Sequence, residues 1–122
     1  MLLLTYPDRA GAGSPPLDFA KIGCLTFHEP DVEVFPLLRL ARETWKRGGT
    51  APTALIAADE EAVAAFLREE IMFGDIARVV CDAMEACPVH EADSEEAIFA
   101  SEAEAREIAR NILLRYTKGS DK

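Results

Sequence analysis

After residue 31, apolar residues recur at three- and four-residue intervals, which is the spacing of helices that bury one face. The first helix is predicted to begin at Pro36, because the missing N–H of proline costs nothing in a first helical turn. It should end at Gly48-Gly49, where glycine accepts left-handed backbone cheaply. Four residues make up its predicted apolar face: Leu37, Leu40, Ala41 and Thr44.

Two shorter helices are predicted to follow. Thr50 is placed to cap a helix that runs through Ala57, and Asp59 is placed to cap the next one. Glu60 and Glu61 would then lie beside the positive N-terminal end of that second helix. The apolar face of this helix is predicted to consist of Val63, Phe66 and Leu67.

Two further helices complete the pattern. Asp75 is predicted to cap one that ends before Pro88 and whose apolar face consists of Ile76, Val79, Val80 and Met84. The run Ser101-Glu102-Ala103-Glu104 has the spacing of a capping box, in which a hydroxyl and a carboxylate satisfy backbone donors at a helix start. The last helix would then bury a continuous face: Ala105, Ile108, Ala109, Ile112, Leu113 and Tyr116.

Residues 1–30 differ from the rest because prolines and glycines are concentrated there. Residues 22–27 are the best strand candidate, since they are flanked by turn-formers and include β-favouring residues. A lone strand needs a partner for its backbone groups: residues 2–5, a second copy, or a segment outside this sequence. The predicted fold class is mainly α, with a small four-helix-type bundle over residues 31–122 after an extended segment, residues 1–30, with one or two short strands.

Charge and composition narrow the possible partners. The 122 residues include 13 Lys and Arg against 22 Asp and Glu, a formal charge of −9, and 49% of them are apolar. This composition predicts a folded domain, and its acidity disfavours nucleic acid and anionic membranes, which both bind basic clusters. No apolar run approaches the ~20 residues that span a bilayer. The three cysteines show no disulfide spacing, so we expect a cytoplasmic protein with reduced thiols.

The residues whose chemistry suits metal binding or nucleophilic attack do not form a complete set. In an extended segment, Cys24 and His28 would lie roughly 13 Å apart, too far to share one ion or to act as a nucleophile–base pair. Cys87 and His90 are closer in sequence but offer only two of the usual four zinc ligands. We therefore predict no catalytic, cofactor-binding or metal-binding residue in this chain.

Several ordered runs resemble the C-terminal part of the 1-deoxy-D-xylulose 5-phosphate reductoisomerase family. Near the start, the matching runs are Tyr6-Pro7-Asp8-Arg9, Pro16-Leu17-Asp18-Phe19 and Leu25-Thr26-Phe27-His28-Glu29-Pro30-Asp31. Further along they are Phe35-Pro36, Leu38-Arg39-Leu40-Ala41, Gly48-Gly49-Thr50-Ala51-Pro52, Val63-Ala64-Ala65-Phe66-Leu67, Ile71-Met72-Phe73-Gly74-Asp75-Ile76 and Ala105-Arg106. The resemblance extends over nearly the whole chain.

The resemblance implies that residues 1 to about 30 are the end of the family's catalytic domain and its linker, and that the remainder is its C-terminal helical domain. The complete enzyme of this family rearranges and reduces deoxyxylulose phosphate to methylerythritol phosphate in isoprenoid biosynthesis, with NADPH and Mg²⁺ or Mn²⁺. In the family, the dinucleotide-binding domain, the metal-binding carboxylates and the substrate-covering loop all precede the matching region. The resemblance therefore implies partner domains in a longer chain.

Two positions depart from the family pattern and keep an alternative open. Where the family commonly has Asn-Ala-Ala-Asn-Glu, this chain has Ile56-Ala57-Ala58-Asp59-Glu60. Asp59 can still accept backbone hydrogen bonds, but Ile56 cannot replace the polar contacts of an Asn. The alternative is a stand-alone binding or scaffold protein derived from the family, which would self-associate or bind a partner by edge pairing through Leu25-Thr26-Phe27.

Overall fold

A computed structural model describes residues 17–117, and within this range the chain forms five helices and no strand. In chain order they are α1 (Phe19–Ile22), α2 (Pro36–Arg47), α3 (Ala51–Leu67), α4 (Phe73–Ala86) and α5 (Glu95–Thr117). Helices α2–α5 form the predicted bundle, in which α3 contacts all three of the others, α4 contacts α5, and α2 contacts α4. The prediction of a mainly α fold is confirmed. No helix in this range is long and apolar enough to cross a bilayer.

The side of α3 that faces the other helices is built from alanine. Its fully or almost fully buried residues are Ala51, Ala54, Ala57, Ala58, Ala62 and Ala65. The opposing surfaces supply the larger side chains, including Val79 and Val80 of α4 and Ile112 and Leu113 of α5. Small side chains on one helix let the neighbouring helix axes approach closely, so α3 forms the centre of the core.

Helix α2 begins and ends where its proline and glycines predict. Pro36 is its first residue, and Gly48, with a φ of +70°, donates its backbone N–H to the Thr44 carbonyl at the helix end. On the predicted face, Thr44 is buried and Leu37 and Leu40 are half-buried, whereas Ala41 is exposed. The predicted face of α2 is therefore confirmed except at Ala41.

The predicted division of residues 50–67 into two helices is wrong. Thr50 precedes a single helix, α3, that runs to Leu67, and Asp59 lies in its middle. The Thr50 hydroxyl makes no bond to the helix start but accepts one from the backbone N–H of His90 at 3.1 Å. On the predicted face, Val63 and Phe66 are half-buried but Leu67 is 74% exposed, because the alanines occupy the side turned toward the core.

The start points of α4 and α5 also differ from the predictions. Helix α4 begins at Phe73, two residues before the predicted cap, and the Asp75 carboxylate accepts the Met72 backbone N–H from within the first turn. Helix α5 begins at Glu95, where the Ser94 hydroxyl accepts the Ala97 N–H at 3.2 Å. The predicted buried faces of both helices are confirmed. The buried residues on the predicted face of α4 are Ile76, Val79, Val80 and Met84, and those on the predicted face of α5 include Ala105, Ala109, Ile112 and Leu113.

The predicted strand at residues 22–27 is also wrong. Ile22 is the last residue of α1, whose start is capped by the Asp18 carboxylate, and Gly23, with a φ of +70°, ends the helix. Residues 23–31 have no regular secondary structure, and no strand lies in residues 17–117 to pair with them. The other partner considered, residues 2–5, lies outside the described residues.

Candidate functional site

Five charged side chains tie α3 to α5. The Arg106 guanidinium on α5 contacts Glu60 and Glu61 of α3 and Glu102 one turn earlier on α5, the last two at 3.3 and 2.8 Å. Arg110, one turn further along α5, donates two hydrogen bonds to the Glu61 carboxylate, at 2.8 and 3.0 Å. These contacts lie beside the alanine face of α3 and fix the relative register of α3 and α5.

The protonation behaviour of this network follows from its pairing. Hydrogen bonds from Arg110 and then Arg106, with their positive charges, hold the pKa of Glu61 below its ordinary value of 4.5, against the opposing effect of burial. Hydrogen bonds to Glu60 and Glu102 raise the pKa of Arg106. Glu61, Arg106 and Arg110 therefore remain charged at neutral pH, which suits a structural link rather than proton transfer.

A second link joins Gly49 and Thr50, which lie between α2 and α3, to the segment after α4. The Thr50 backbone N–H donates to the His90 carbonyl at 2.9 Å, and the Thr50 hydroxyl accepts from the His90 N–H. Gly49 lies so close to this segment that an added Cβ would be 2.3 Å from the His90 carbonyl oxygen. Only glycine fits at position 49 without moving that carbonyl.

The candidate metal and nucleophile residues are not brought together. Cys24 and His28 are both exposed in the irregular segment. Cys87 is buried at the end of α4, where burial and the Glu104 charge raise the pKa of its thiol. The exposed His90 instead has its ring Nε2 3.6 Å from Glu104 Oε2. Across residues 17–117, no group of three or more His, Cys, Asp or Glu side chains is arranged to hold a metal ion.

The two departures from the family pattern lie on α3. Ile56 is 60% exposed, so its apolar side chain faces outward where the family commonly has an amide. Asp59 is half-buried, and burial, followed by the Glu60 charge, raises the pKa of its carboxyl. Neither residue forms part of the charged network around Arg106 and Arg110.

An open groove of about 880 Å³ lies between the chain that enters α2 and one side of α4. We call it the apolar groove; its wall includes Val34, Phe35, Leu38, Phe73 and Tyr116. The Tyr116 hydroxyl donates to Asp82 at 3.0 Å, and burial followed by this bond raises the pKa of the phenol. The most exposed of the named side chains in the wall of the apolar groove are Phe73 and Val34, which are 69% and 64% exposed.

Neither the charged network nor the apolar groove was predicted from the sequence. A partial signal for the network exists, since Glu102, Arg106 and Arg110 follow each other at four-residue spacing on one face of a predicted helix. Their partners Glu60 and Glu61 are more than forty positions away, and the split prediction for α3 placed them at a helix start. No sequence pattern indicated the groove, because helical spacing identifies the side chains that face the core and the groove lies on the outside of the helices.

Comparisons with known proteins show which family this chain resembles. The family model described as the DXP reductoisomerase C-terminal domain matches residues 1–108. The chain is 46% identical over 110 residues to the 1-deoxy-D-xylulose 5-phosphate reductoisomerase of Ralstonia pickettii, covering 90% of this chain and 28% of that protein. It is 48% identical over 107 residues to the corresponding protein of Cupriavidus necator, with 88% and 27% covered.

A solved structure shows the same relation in three dimensions. The 1-deoxy-D-xylulose 5-phosphate reductoisomerase from Zymomonas mobilis in complex with NADPH superposes with a TM-score of 0.83 at 39% identity, covering 92% of this chain and 30% of that one. The chain thus spans less than a third of the length of these relatives. With the family model matching most of the chain, it belongs to the family of 1-deoxy-D-xylulose 5-phosphate reductoisomerase C-terminal domains.

Proposed function

We propose that this chain acts as the C-terminal helical support domain of a 1-deoxy-D-xylulose 5-phosphate reductoisomerase. That enzyme rearranges and reduces its substrate to 2-C-methyl-D-erythritol 4-phosphate in isoprenoid biosynthesis, with NADPH and Mg²⁺ or Mn²⁺. The observation that carries the proposal is the match of residues 1–108 to the C-terminal domain family, together with relatives that are more than three times as long as the matched region. The proposed location is the cytoplasm.

We place the boundary between the two parts of the chain near residue 30. Helix α1 contacts none of the other helices, whereas α2–α5 pack around one core. This supports residues 1–30 as the end of the preceding catalytic domain and its linker, and residues 31–122 as the helical domain.

The proposal assigns substrate, NADPH and metal to the part of the enzyme that precedes this chain. A divalent metal of this kind takes carboxylate and other oxygen ligands, and residues 17–117 contain no suitable cluster. Two of the acidic residues on α3, Glu60 and Glu61, are already paired with arginine. The role of the chain is then to hold a rigid face against the catalytic part, and no catalytic residue is assigned to it.

A chimeric enzyme tests this proposal. The matched C-terminal 28% of the Ralstonia pickettii protein is replaced by this chain, and oxidation of NADPH is followed with deoxyxylulose phosphate and Mn²⁺. We expect turnover by the chimera and none by the 122-residue chain alone. The Ralstonia protein cut before the matched region is the control and should be inactive. A folded chimera without turnover, or turnover by the chain alone, would contradict the proposal.

The alternative is a protein that acts on its own through self-association. Leu25 and Phe27 are 62% and 88% exposed in a segment without regular secondary structure, which supports a role of Leu25-Thr26-Phe27 in pairing between copies. Analytical ultracentrifugation of the chain and of Phe27→Asp distinguishes the two proposals. A dimer that Phe27→Asp converts to monomer favours self-association, and a monomer at every concentration contradicts it.

A further inference from the structure

The exposed apolar side chains are concentrated at one end of the described chain. Of the fifteen large hydrophobic residues that are exposed within residues 17–117, eight lie between residues 17 and 38: Leu17, Phe19, Ile22, Leu25, Phe27, Val34, Phe35 and Leu38. Isolated exposed hydrophobic residues are common on monomers, but such a concentration in one stretch is typical of a surface that is covered by another part of a protein.

The last three of these residues form one wall of the apolar groove. Val34, Phe35 and Leu38 face α4 across the groove, with Phe73 on the opposite wall. A fixed turn leads into this wall: the Asp31 carboxylate accepts the backbone N–H groups of Glu33 and Val34, both at 3.0 Å. The groove is therefore continuous along the chain with the exposed apolar residues before it.

The charged groups at the edge of the groove already have partners within the domain. Glu33 lies 3.6 Å from Arg39, Arg78 lies 3.1 Å from Asp75, and Asp82 accepts the Tyr116 hydroxyl. An occupant with its own charges would have to compete with these contacts. An occupant that presents apolar side chains would instead gain from burying Phe73 and Phe35 without leaving a charge unpaired.

We propose that the apolar groove and residues 17–31 form the surface on which this domain docks against the preceding part of the same reductoisomerase polypeptide. This inference rests on the proposed function and adds to it the contact surface and the apolar chemistry of its occupant. More than two thirds of the Ralstonia pickettii relative lies outside the matched region, so the relative contains ample chain to cover this surface.

Covalent linkage favours this occupant over a second copy. The chain enters the groove wall directly from residues 17–31, so whatever precedes that segment is tethered to the groove edge. A short tether gives an effective concentration on the order of millimolar, which lets a modest apolar contact persist within one molecule. A second copy would have to find the same groove at its free concentration.

Photo-crosslinking within the chimeric enzyme tests the surface directly. The photoreactive residue p-benzoylphenylalanine is introduced in place of Phe73, and crosslinked peptides are mapped by mass spectrometry. The matched control carries it in place of Phe99, which is exposed to nearly the same extent, 65% against 69%, but lies on α5 outside the groove. We expect crosslinks from position 73 to residues that precede the matched region, several-fold above the yield from position 99.

Each outcome distinguishes this inference from the proposed function. Crosslinks from position 73 that join two chains would identify a second copy as the occupant and overturn the inference. Crosslinks confined to residues 17–117, or equal yields at positions 73 and 99, would also overturn it, even in a chimera that oxidises NADPH. Crosslinks to the preceding part in an inactive chimera would instead uphold the docking surface and contradict the proposed function.

Discussion

Replacing Gly49 by alanine should destabilise the bundle, because two separate costs combine at that position. The first is backbone strain, since Gly49 has a φ of +55°, which costs an L-residue about 1–2 kcal/mol. The second is a collision, because the new Cβ would be 2.3 Å from the His90 carbonyl oxygen, whereas ordinary contact begins near 3.4 Å. The segment after α4 must then retreat by about 1 Å.

That movement also affects the two hydrogen bonds between Thr50 and His90. Each bond contributes about 0.5–1.5 kcal/mol, and both span the gap that the alanine methyl would widen. Together with the strain, the expected loss is about 2–5 kcal/mol in the free energy of unfolding. For a domain of this size, a loss of that order lowers Tm by about 8–20 °C.

Urea unfolding followed by circular dichroism measures this loss, with two other glycines as controls. Gly48→Ala has a positive φ of +70° but no atom within 4 Å of the new methyl, so it reports strain without a collision. Gly74→Ala lies in α4 with nothing within 4 Å and should stabilise by up to about 1 kcal/mol. A Gly49→Ala variant as stable as Gly74→Ala would show that neither strain nor collision acts at position 49.

A double-mutant cycle shows whether the collision acts through the same hydrogen bonds. Thr50→Val removes the hydroxyl that accepts the His90 N–H while keeping the shape of the fully buried side chain. If Gly49→Ala already displaces His90, the double variant should lose clearly less stability than the sum of the two single losses. Strict additivity would mean that the His90 segment stays in place.

Two further predictions concern helix pairing and helix starts. Because the folded-state pKa of Glu61 is lowered, its contribution to stability is present above its ordinary pKa of 4.5 and is lost as the pH falls through the lower folded value. Arg110→Ala removes one partner of Glu61, so the decrease of Tm below about pH 4.5 should become less steep. The control is Arg115→Ala, which removes no ion pair in residues 17–117 and should leave this dependence of Tm on pH unchanged. Ser94→Ala should cost about 1 kcal/mol of stability by removing the α5 cap, while Ser101→Ala should be close to neutral because Ser101 lies inside the helix. Equal losses of unfolding free energy for the two serine variants in chemical denaturation would contradict the assignment of the α5 cap to Ser94.

The buried faces of α2, α4 and α5 were largely predictable, because helical spacing reports which side chains turn inward. Pro36 and Gly48 also fixed the ends of α2 correctly, since each has a strong local backbone preference. These are local properties, and each can be derived from a window of ten to twenty residues. The family itself was equally accessible, because its ordered runs lie in the sequence.

Predictions based on capping residues failed where packing decided the outcome. Asp59 has the chemistry of an N-cap, but the alanines at positions 57, 58 and 62 are buried against other helices and hold α3 continuous through it. Ser101 has a capping-box spacing, yet it is itself buried, and Ser94 one helical heptad earlier caps α5. A cap motif states what a residue is able to do, and tertiary contacts determine whether it does so.

The features that distinguish the site depend on contacts across long sequence separations. Arg106 is paired with Glu60 across forty-six positions, and the apolar groove joins residues before α2 to one side of α4. No local pattern encodes such contacts. The strand prediction failed for a related reason, because residues 22–27 have β-favouring side chains but no neighbouring strand within the described range.

The alanine face of α3 has a consequence for which mutations the domain can tolerate. A buried alanine has a single methyl to lose, so truncation there opens hardly any void, whereas each added methyl must displace a neighbouring helix at a cost of about 1–3 kcal/mol. Natural sequence variation at these six positions should therefore be limited by gain of volume. Glycine and serine, which are close to alanine in size, should be tolerated more often than valine or leucine. Random mutagenesis of the domain would show this asymmetry on α3 and the opposite one at Val79 and Val80, where loss of volume is the damaging change.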